Sequence, residues 1–419
     1  MMILSDNYII LSANDKVELI DSEDDNNKDG RYLFNGKTIT GFIDEDISDI
    51  SKQEDDLIRG IVNNFSNKQY ENMLILTGAG ASIINSESYD KKELTGYTGL
   101  TIRELTNEIK EHLKNSENEN NLMKIDEFAE KVNYLGEDEG INIEELLSVA
   151  ESAKEFLNIE DHRFPNTLKE IEMKIKELCT LKIHEEHPHK LFLNKIISRR
   201  KSHNRVKLFT TNYDTLFEQA AQKEGIIVID GFSYTFPRTF NSFYFDYDFI
   251  RRDESNLMNE PDYVEKVVQL YKLHGSVDWE KNQENEIIKK ENTEKPLMIY
   301  PRRDKYEQSY EAPYFEMFSR FQFELRKRNT LLITIGFSFN DKHIRTMVEN
   351  ALINNPDFNI LIVDYDINNE SFDFFKQRAI NGYENIMLYE TTFQGFANIY
   401  MKEEAYSEDV FSKLGEKFE

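Results

Sequence analysis

The chain has 419 residues and carries 51 basic against 78 acidic side chains, a formal charge of −27 at pH 7. That field repels polyphosphate backbones, so no direct nucleic-acid binding by this chain is expected; the acid excess reads as a solubilising surface or as a face for a basic protein partner. With 39% hydrophobic residues, 29 Phe and 21 Tyr it has ample material for a core, while its single cysteine, Cys179, excludes an internal disulfide framework and a four-cysteine zinc site.

No apolar stretch approaches the ~20 residues that span a bilayer, so no membrane association is expected. The opening MMILSDNYIILSANDKVELID is acidic and interrupted, unlike a secretory leader. A cytoplasmic, reducing setting is the expectation. Residues 7–11 and 31–43 alternate apolar and polar side chains on either side of the turn-like SEDDNNKDG. They predict a small β-structured extension over 1–50, packed on the main domain or on a neighbouring subunit. Residues 49–67 place Ile50, Leu57, Ile58, Ile61, Val62 and Phe65 at helical spacing.

MLILTGAGAS then reads as a strand that ends in a glycine-rich turn. Residues 85–100 are polar and predict a loop over a ligand, and 100–114 an amphipathic helix. From 122 to 200 almost every segment reads helical, including LMKIDEFAEKVNYL, INIEELLSVAESAKEFL and FPNTLKEIEMKIKELCTL. The histidine-rich HEEHPHK (184–190) lacks an HExxH pattern and reads as a solvated helix–turn, not a metal site. Strands resume at 206–211, 226–229, 269–274, 297–300, 331–336 and 360–364, with helices between several of them. This is the βαβ rhythm of a parallel sheet. The division is an extension over 1–50, the first part of a nucleotide-binding domain over 51–121, a helical insertion over 122–204, and the rest of that domain over 205–419.

Four of these strand ends deliver small or polar residues: GAGAS, TTNYD, LHGS and IGFS. In an open parallel sheet such ends line one crevice where ligands bind. Glycines at Gly78 and Gly80, with Ala79 and Ser82 beside them, let a backbone turn sharply and approach a pyrophosphate; the plain alternative is a tight turn. Asn212, after Thr211, can bond ribose hydroxyls or hold a water, and Asn212 and Asp214 can equally form an Asx turn that caps the helix after them. His274 ends an apolar strand ahead of Gly-Ser, where an imidazole can act as general base toward a hydroxyl or a water. Asp341 reads as a helix cap or a site residue, and Asp364 as a ribose contact or the start of a loop.

The order and wording of the four motifs resemble the sirtuin superfamily over roughly residues 73–366. GAGAS is similar to its phosphate-cradling loop, TTNYD to the TQN-type motif, LHGS to the catalytic-histidine segment, and IGFS to the later glycine–serine loop. TTNYDTLFE, LHGSVDW and GFSFNDKHI most resemble sirtuin-like domains of bacterial anti-phage systems, including those associated with a HerA-type ATPase, and IEELLSVA fits their acidic-Leu-Leu helix. The resemblance implies an α/β fold: a Rossmann-like parallel sheet of the sirtuin type with a large helical insertion and a small β-structured N-terminal extension.

It further implies an NAD⁺ hydrolase acting in anti-phage defence by NAD⁺ depletion. Asn212 and His274 would be catalytic; Gly78, Ala79, Gly80, Ser82, Thr211, Asp214, Gly336, Ser338 and Asp364 would contact NAD⁺. The partners implied are a homo-oligomer and a HerA-type ATPase. Two departures bear on the chemistry. EKNQENEIIKKENTEKP, without cysteine, stands where sirtuin deacylases carry a four-cysteine zinc module, so no zinc is expected. GYTGLTIREL stands in place of the GIPDFR segment. Deacylation or ADP-ribosyl transfer, and a non-catalytic NAD or ADP-ribose sensor, remain the alternatives.

Overall fold

The structure is a computed structural model that describes residues 8–19, 32–38, 50–85, 88–90, 92–136, 140–154, 162–199, 203–251, 262–299 and 313–401. The expected turn SEDDNNKDG and the ends of the predicted stretches 31–43 and 297–300 lie outside the described residues.

Apolar runs such as MLILT and TLLITI are buried along their whole length, as strands covered on both faces must be. They form the centre of an eleven-stranded sheet among the described residues. Its order from one edge is Lys37–Thr38, Tyr32–Phe34, Lys16–Leu19, Tyr8–Ser12, Ile386–Glu390, Phe358–Asp364, Thr330–Ile335, Asn72–Thr77, Lys207–Thr210, Val267–Lys272 and Ile227–Ile229. The seven strands from Ile386–Glu390 onward are mutually parallel.

The N-terminal extension adds four antiparallel strands, with Tyr8–Ser12 pairing directly to Ile386–Glu390. Its last hairpin turns at Asn35-Gly36, both at positive φ, as a two-residue hairpin loop requires. The expected α/β architecture is therefore present, and the extension is a continuation of the main sheet.

Strand side chains alternate between two apolar layers. Leu74, Leu76 and Leu332 face the helices Tyr314–Glu324, Lys342–Asn354 and Asp373–Ile380. Met73, Ile75, Leu331 and Ile333 face Ile50–Ser66, His189–Ile196, Leu216–Glu224 and Phe393–Ile399. A third apolar cluster belongs to the helices Ile102–Asn120, Ile125–Lys131, Ile143–Ala153 and Arg163–Cys179. No described helix is long and apolar enough to cross a membrane.

Two readings of local sequence change. Over its described residues the predicted strand 297–300 is not part of the main sheet: Leu297–Met298 is a short strand paired antiparallel to Gly275–Ser276. The run LMIY is bracketed in sequence by Pro296 and Pro301, residues that cannot donate to a strand ladder. HEEHPHK is solvated only in part: Glu185 is exposed, but His187 and His189 are 3% and 0% exposed. The ring of His189 meets His187, Phe217 and Phe393 edge-on, and the two phenylalanines lie far off in sequence.

Candidate active site

After Asn72–Thr77 the chain builds the sheet outward on one side, through Lys207–Thr210 to Ile227–Ile229, and then returns to Thr330–Ile335 on the other. The point between Asn72–Thr77 and Thr330–Ile335 is thus where the winding reverses, and loops diverge there to leave a crevice. The sheet's ladder continues into the first loop residue in each case. Gly78 N–H donates to Ile335 O (3.1 Å), Thr211 N–H to Thr77 O (3.0 Å), Leu273 N–H to Thr210 O (2.8 Å) and Gly336 N–H to Val363 O (2.9 Å). All four motifs consequently leave the sheet at one level.

GAGAS folds as a 3₁₀ turn, Ala79–Ser82, and the next described α-helix begins only at Ile102. Gly80 N–H donates to Gly336 O (3.1 Å). A Cβ on Gly80 would lie 2.7 Å from Gly336 Cα, and one on Gly336, whose φ is +56°, 2.5 Å from Gly80 Cα. These glycines let two loop backbones touch, which is a packing demand as much as a ligand one. Ala79 is exposed at the turn and Ser82 is buried beneath it.

Asn212 uses both amide protons inside the site: Nδ2 donates to Gly78 O (2.8 Å) and to Ser82 Oγ (2.7 Å). Its remaining capacity is the Oδ1 acceptor, the group suited to a ribose hydroxyl or a water. Ser82 Oγ donates in turn to Asp214 Oδ2 (2.5 Å), while Asp214 Oδ1 accepts from Leu216 N–H (3.0 Å). Asp214 thus serves the helix Leu216–Glu224 and the glycine loop together. Lys272, buried in its strand, donates through Nζ to Asp214 O and lies 3.5 Å from Glu218. A lysine inside the apolar run YKLH was the sequence signal for this clamp.

His274 is 6% exposed, and its Nε2 lies 3.1 Å from Asp341 Oδ2. The other oxygen of Asp341 accepts from His343 N–H (2.9 Å) and Ile344 N–H (3.1 Å), capping the helix Lys342–Asn354. Burial opposes the charge of Asp341, but the His274 ring and these N–H groups outweigh it and hold the carboxyl below its ordinary range. Asp341 is therefore both the cap and the partner of His274.

The turn after His274 is tied to the Asn212 loop, since Ser276 Oγ (3.2 Å) and Val277 N–H (3.0 Å) both donate to Tyr213 O. Tyr213 Oη donates to Ile299 O (2.7 Å) and lies 3.4 Å from Glu144 Oε1. Glu144 belongs to the inserted helix Ile143–Ala153 and is half-buried. Burial raises its carboxyl above the ordinary range against the opposing pull of His274 and the Tyr213 hydroxyl, and the charge of Asp341 adds to the rise. For Asp341 the sequence leaves cap and site residue both open, and the structure gives it both contacts; Glu144 is not singled out within IEELLSVA.

Ser338 is exposed on the loop after Thr330–Ile335. Asp364 ends the neighbouring strand, half-buried, with Oδ1 accepting from Asp366 N–H (3.2 Å) and burial pushing its carboxyl up to about 6. The segment EKNQENEIIKKENTEKP contributes to a small antiparallel sheet, in which Trp279–Lys281 pairs with Ile287–Lys289, and Ile287–Lys289 with Arg238–Thr239. Lys289 holds it through Asp230 (3.0 Å) and Asp278 (3.4 Å). Among the described residues no group of three or more His, Cys, Asp or Glu is arranged to hold a metal ion.

A parallel α/β sheet with these loops at its reversal point is the arrangement in which open α/β proteins bind their ligands. Within it, residues 206–381 match the family model described as SIR2-like domain, which supports a sirtuin-like family and an NAD-using activity. The match spans Thr211, Asn212, Asp214, His274, Gly336, Ser338, Asp341 and Asp364, and leaves the GAGAS loop and the inserted helices outside it. No curated protein matches the chain.

Proposed function

We propose that the protein hydrolyses NAD⁺ to nicotinamide and ADP-ribose. The observation that carries this reading is the joining of two groups in one crevice: Asn212, fixed to Gly78 and Ser82 with its Oδ1 in reserve, and His274, backed by Asp341. Cleavage breaks the bond between the nicotinamide nitrogen and the anomeric carbon, and its electron pair leaves with neutral nicotinamide. The sugar becomes oxocarbenium-like and a water adds to it. Asn212 orients a ribose hydroxyl or that water, and His274 takes the released proton. Asp341 steadies the imidazolium that forms, as a carboxylate behind a general-base histidine does.

The phosphates lie over Ala79 and Ser82, Asp214 faces the carboxamide, and Gly336, Ser338 and Asp364 lie toward the adenosine end. Rate enhancement comes from fixed dipoles and positioning. Destruction of NAD⁺ fits an anti-phage depletion response, and the motif resemblance supplies the partners proposed with it, a homo-oligomer and a HerA-type ATPase.

Chromatography of NAD⁺ incubated with the protein, alone and with such an ATPase, tests the reading. Nicotinamide and ADP-ribose should appear with the wild type and fall by at least about 100-fold in His274→Ala and Asn212→Ala. Intact NAD⁺ under every condition, with NAD⁺ binding retained, would shift the assignment to a sensor or to an acyl-dependent enzyme.

A further inference from the structure

Resting on that reading, we infer that Glu144 is a third working group of the crevice, supplied by the inserted helices, and that its carboxylate faces the nicotinamide ribose. The helix Ile143–Ala153 starts at the crevice. Asn142 caps it, accepting from Glu144 N–H (3.0 Å), which sets the first turn and the direction of the Glu144 side chain. Its Oε1 meets the hydroxyl of Tyr213, the residue between Asn212 and Asp214, whose carbonyl holds the turn that follows His274.

The inserted module is also fastened on the far side of that turn. Met298, in the strand paired with Gly275–Ser276, packs against its apolar cluster, and Lys176 Nζ donates to Thr293 O. Glu144 is therefore held against the His274 and Asn212 loops by contacts on two sides.

The chemistry explains what a carboxylate does there. NAD⁺ carries its positive charge on nicotinamide, and as the glycosidic bond breaks that charge passes to the sugar. Asp341 is engaged by His274 and by its own helix, and Asp214 by Ser82 and Leu216. Glu144, whose carboxylate meets only the Tyr213 hydroxyl at 3.4 Å among the described residues, keeps the acceptor capacity to face the cationic end of the substrate. A fixed negative group at the place where positive charge develops lowers the barrier most in a site shielded from water.

The test uses the full chain with Glu144→Gln, which keeps the shape and the Tyr213 contact and removes the charge, and Glu144→Asp beside it. NAD⁺ cleavage, ADP-ribose affinity and thermal unfolding are measured for each. The expected result is a kcat lower by about 100-fold in Glu144→Gln, partial recovery in Glu144→Asp, and ADP-ribose affinity within about threefold of wild type. Cleavage by Glu144→Gln at the wild-type rate overturns the inference and leaves the hydrolase reading standing. If the wild type does not cleave NAD⁺, the hydrolase reading falls, and titration with the uncleavable carbocyclic analogue decides the placement. Selective weakening of that cation relative to ADP-ribose in Glu144→Gln upholds Glu144 as its counter-charge; equal binding overturns it.

Discussion

A carboxylate that caps a helix and also holds a histidine gives two different answers to one substitution. Asparagine caps as well as aspartate but carries no charge. Asp341→Asn should thus leave the helix Lys342–Asn354 in place while the His274 imidazolium loses its counter-charge. The expected outcome is a kcat lower by about 100-fold with the melting temperature nearly unchanged, read from steady-state NAD⁺ cleavage and a thermal scan. Asp364 makes a different case. Its folded value of about 6 stands above the ordinary 3.8, so the folded state keeps the proton over that interval while the unfolded chain releases it. The resulting penalty is absent below about pH 4, grows through the interval and is complete above pH 6. Asp364→Asn should be more stable than wild type by roughly 1–2 kcal/mol at pH 7.5 and equal to it near pH 3.5, as measured by denaturant unfolding at each pH. A matching loss of NAD⁺ affinity would mark the ionised carboxylate as the form that meets the adenosine ribose.

Elements differ in how much of themselves they display locally. The runs around Lys207–Thr210, Thr330–Ile335 and Phe358–Asp364 are legible because strands buried on both faces are apolar without interruption. Asn212, Asp214 and His274 are legible because they follow such runs directly. The strand Ile386–Glu390 escaped notice, a five-residue segment ending in Tyr-Glu whose place is fixed by pairing with both Phe358–Asp364 and Tyr8–Ser12. Glu144 sits in the first turn of an amphipathic helix, where acidic residues are ordinary, and only tertiary contact separates it from its neighbours. The same holds for His189–Ile196, whose histidine has no hydrogen-bond partner on either ring nitrogen among the described residues and is enclosed by rings from two other helices. Burial drives His187 down to about 4 and His189 well below its ordinary value, so both are neutral in the fold. The unfolded chain then binds protons that the folded one refuses, and stability falls as pH drops from about 6.5 toward 4. His189→Leu should flatten that acid limb by about 1 kcal/mol or more, seen as a smaller drop in melting temperature between pH 7 and pH 5.

At the scale of the molecule, the site draws on segments far apart in the chain. Asn212 reaches back 134 residues to Gly78, Ser82 forward 132 to Asp214, and His274 forward 67 to Asp341. The inserted helices come between the first of these segments and the second, and the family match covers the later segments alone. The matched part thus holds the Asn212, His274 and Asp341 segments, and the helices bearing Glu144 lie outside it. The pairing of the first described strand, Tyr8–Ser12, with the last, Ile386–Glu390, sets a schedule for synthesis. While the chain is still emerging from the ribosome, its opening strand has no sheet edge to join, and the histidine waits for an aspartate translated 67 residues later. Contacts of such long sequence separation form late. The crevice is therefore completed only after Thr330–Ile335 and the Asp341 cap have been made, and the proposed cleavage of NAD⁺ starts no earlier than that.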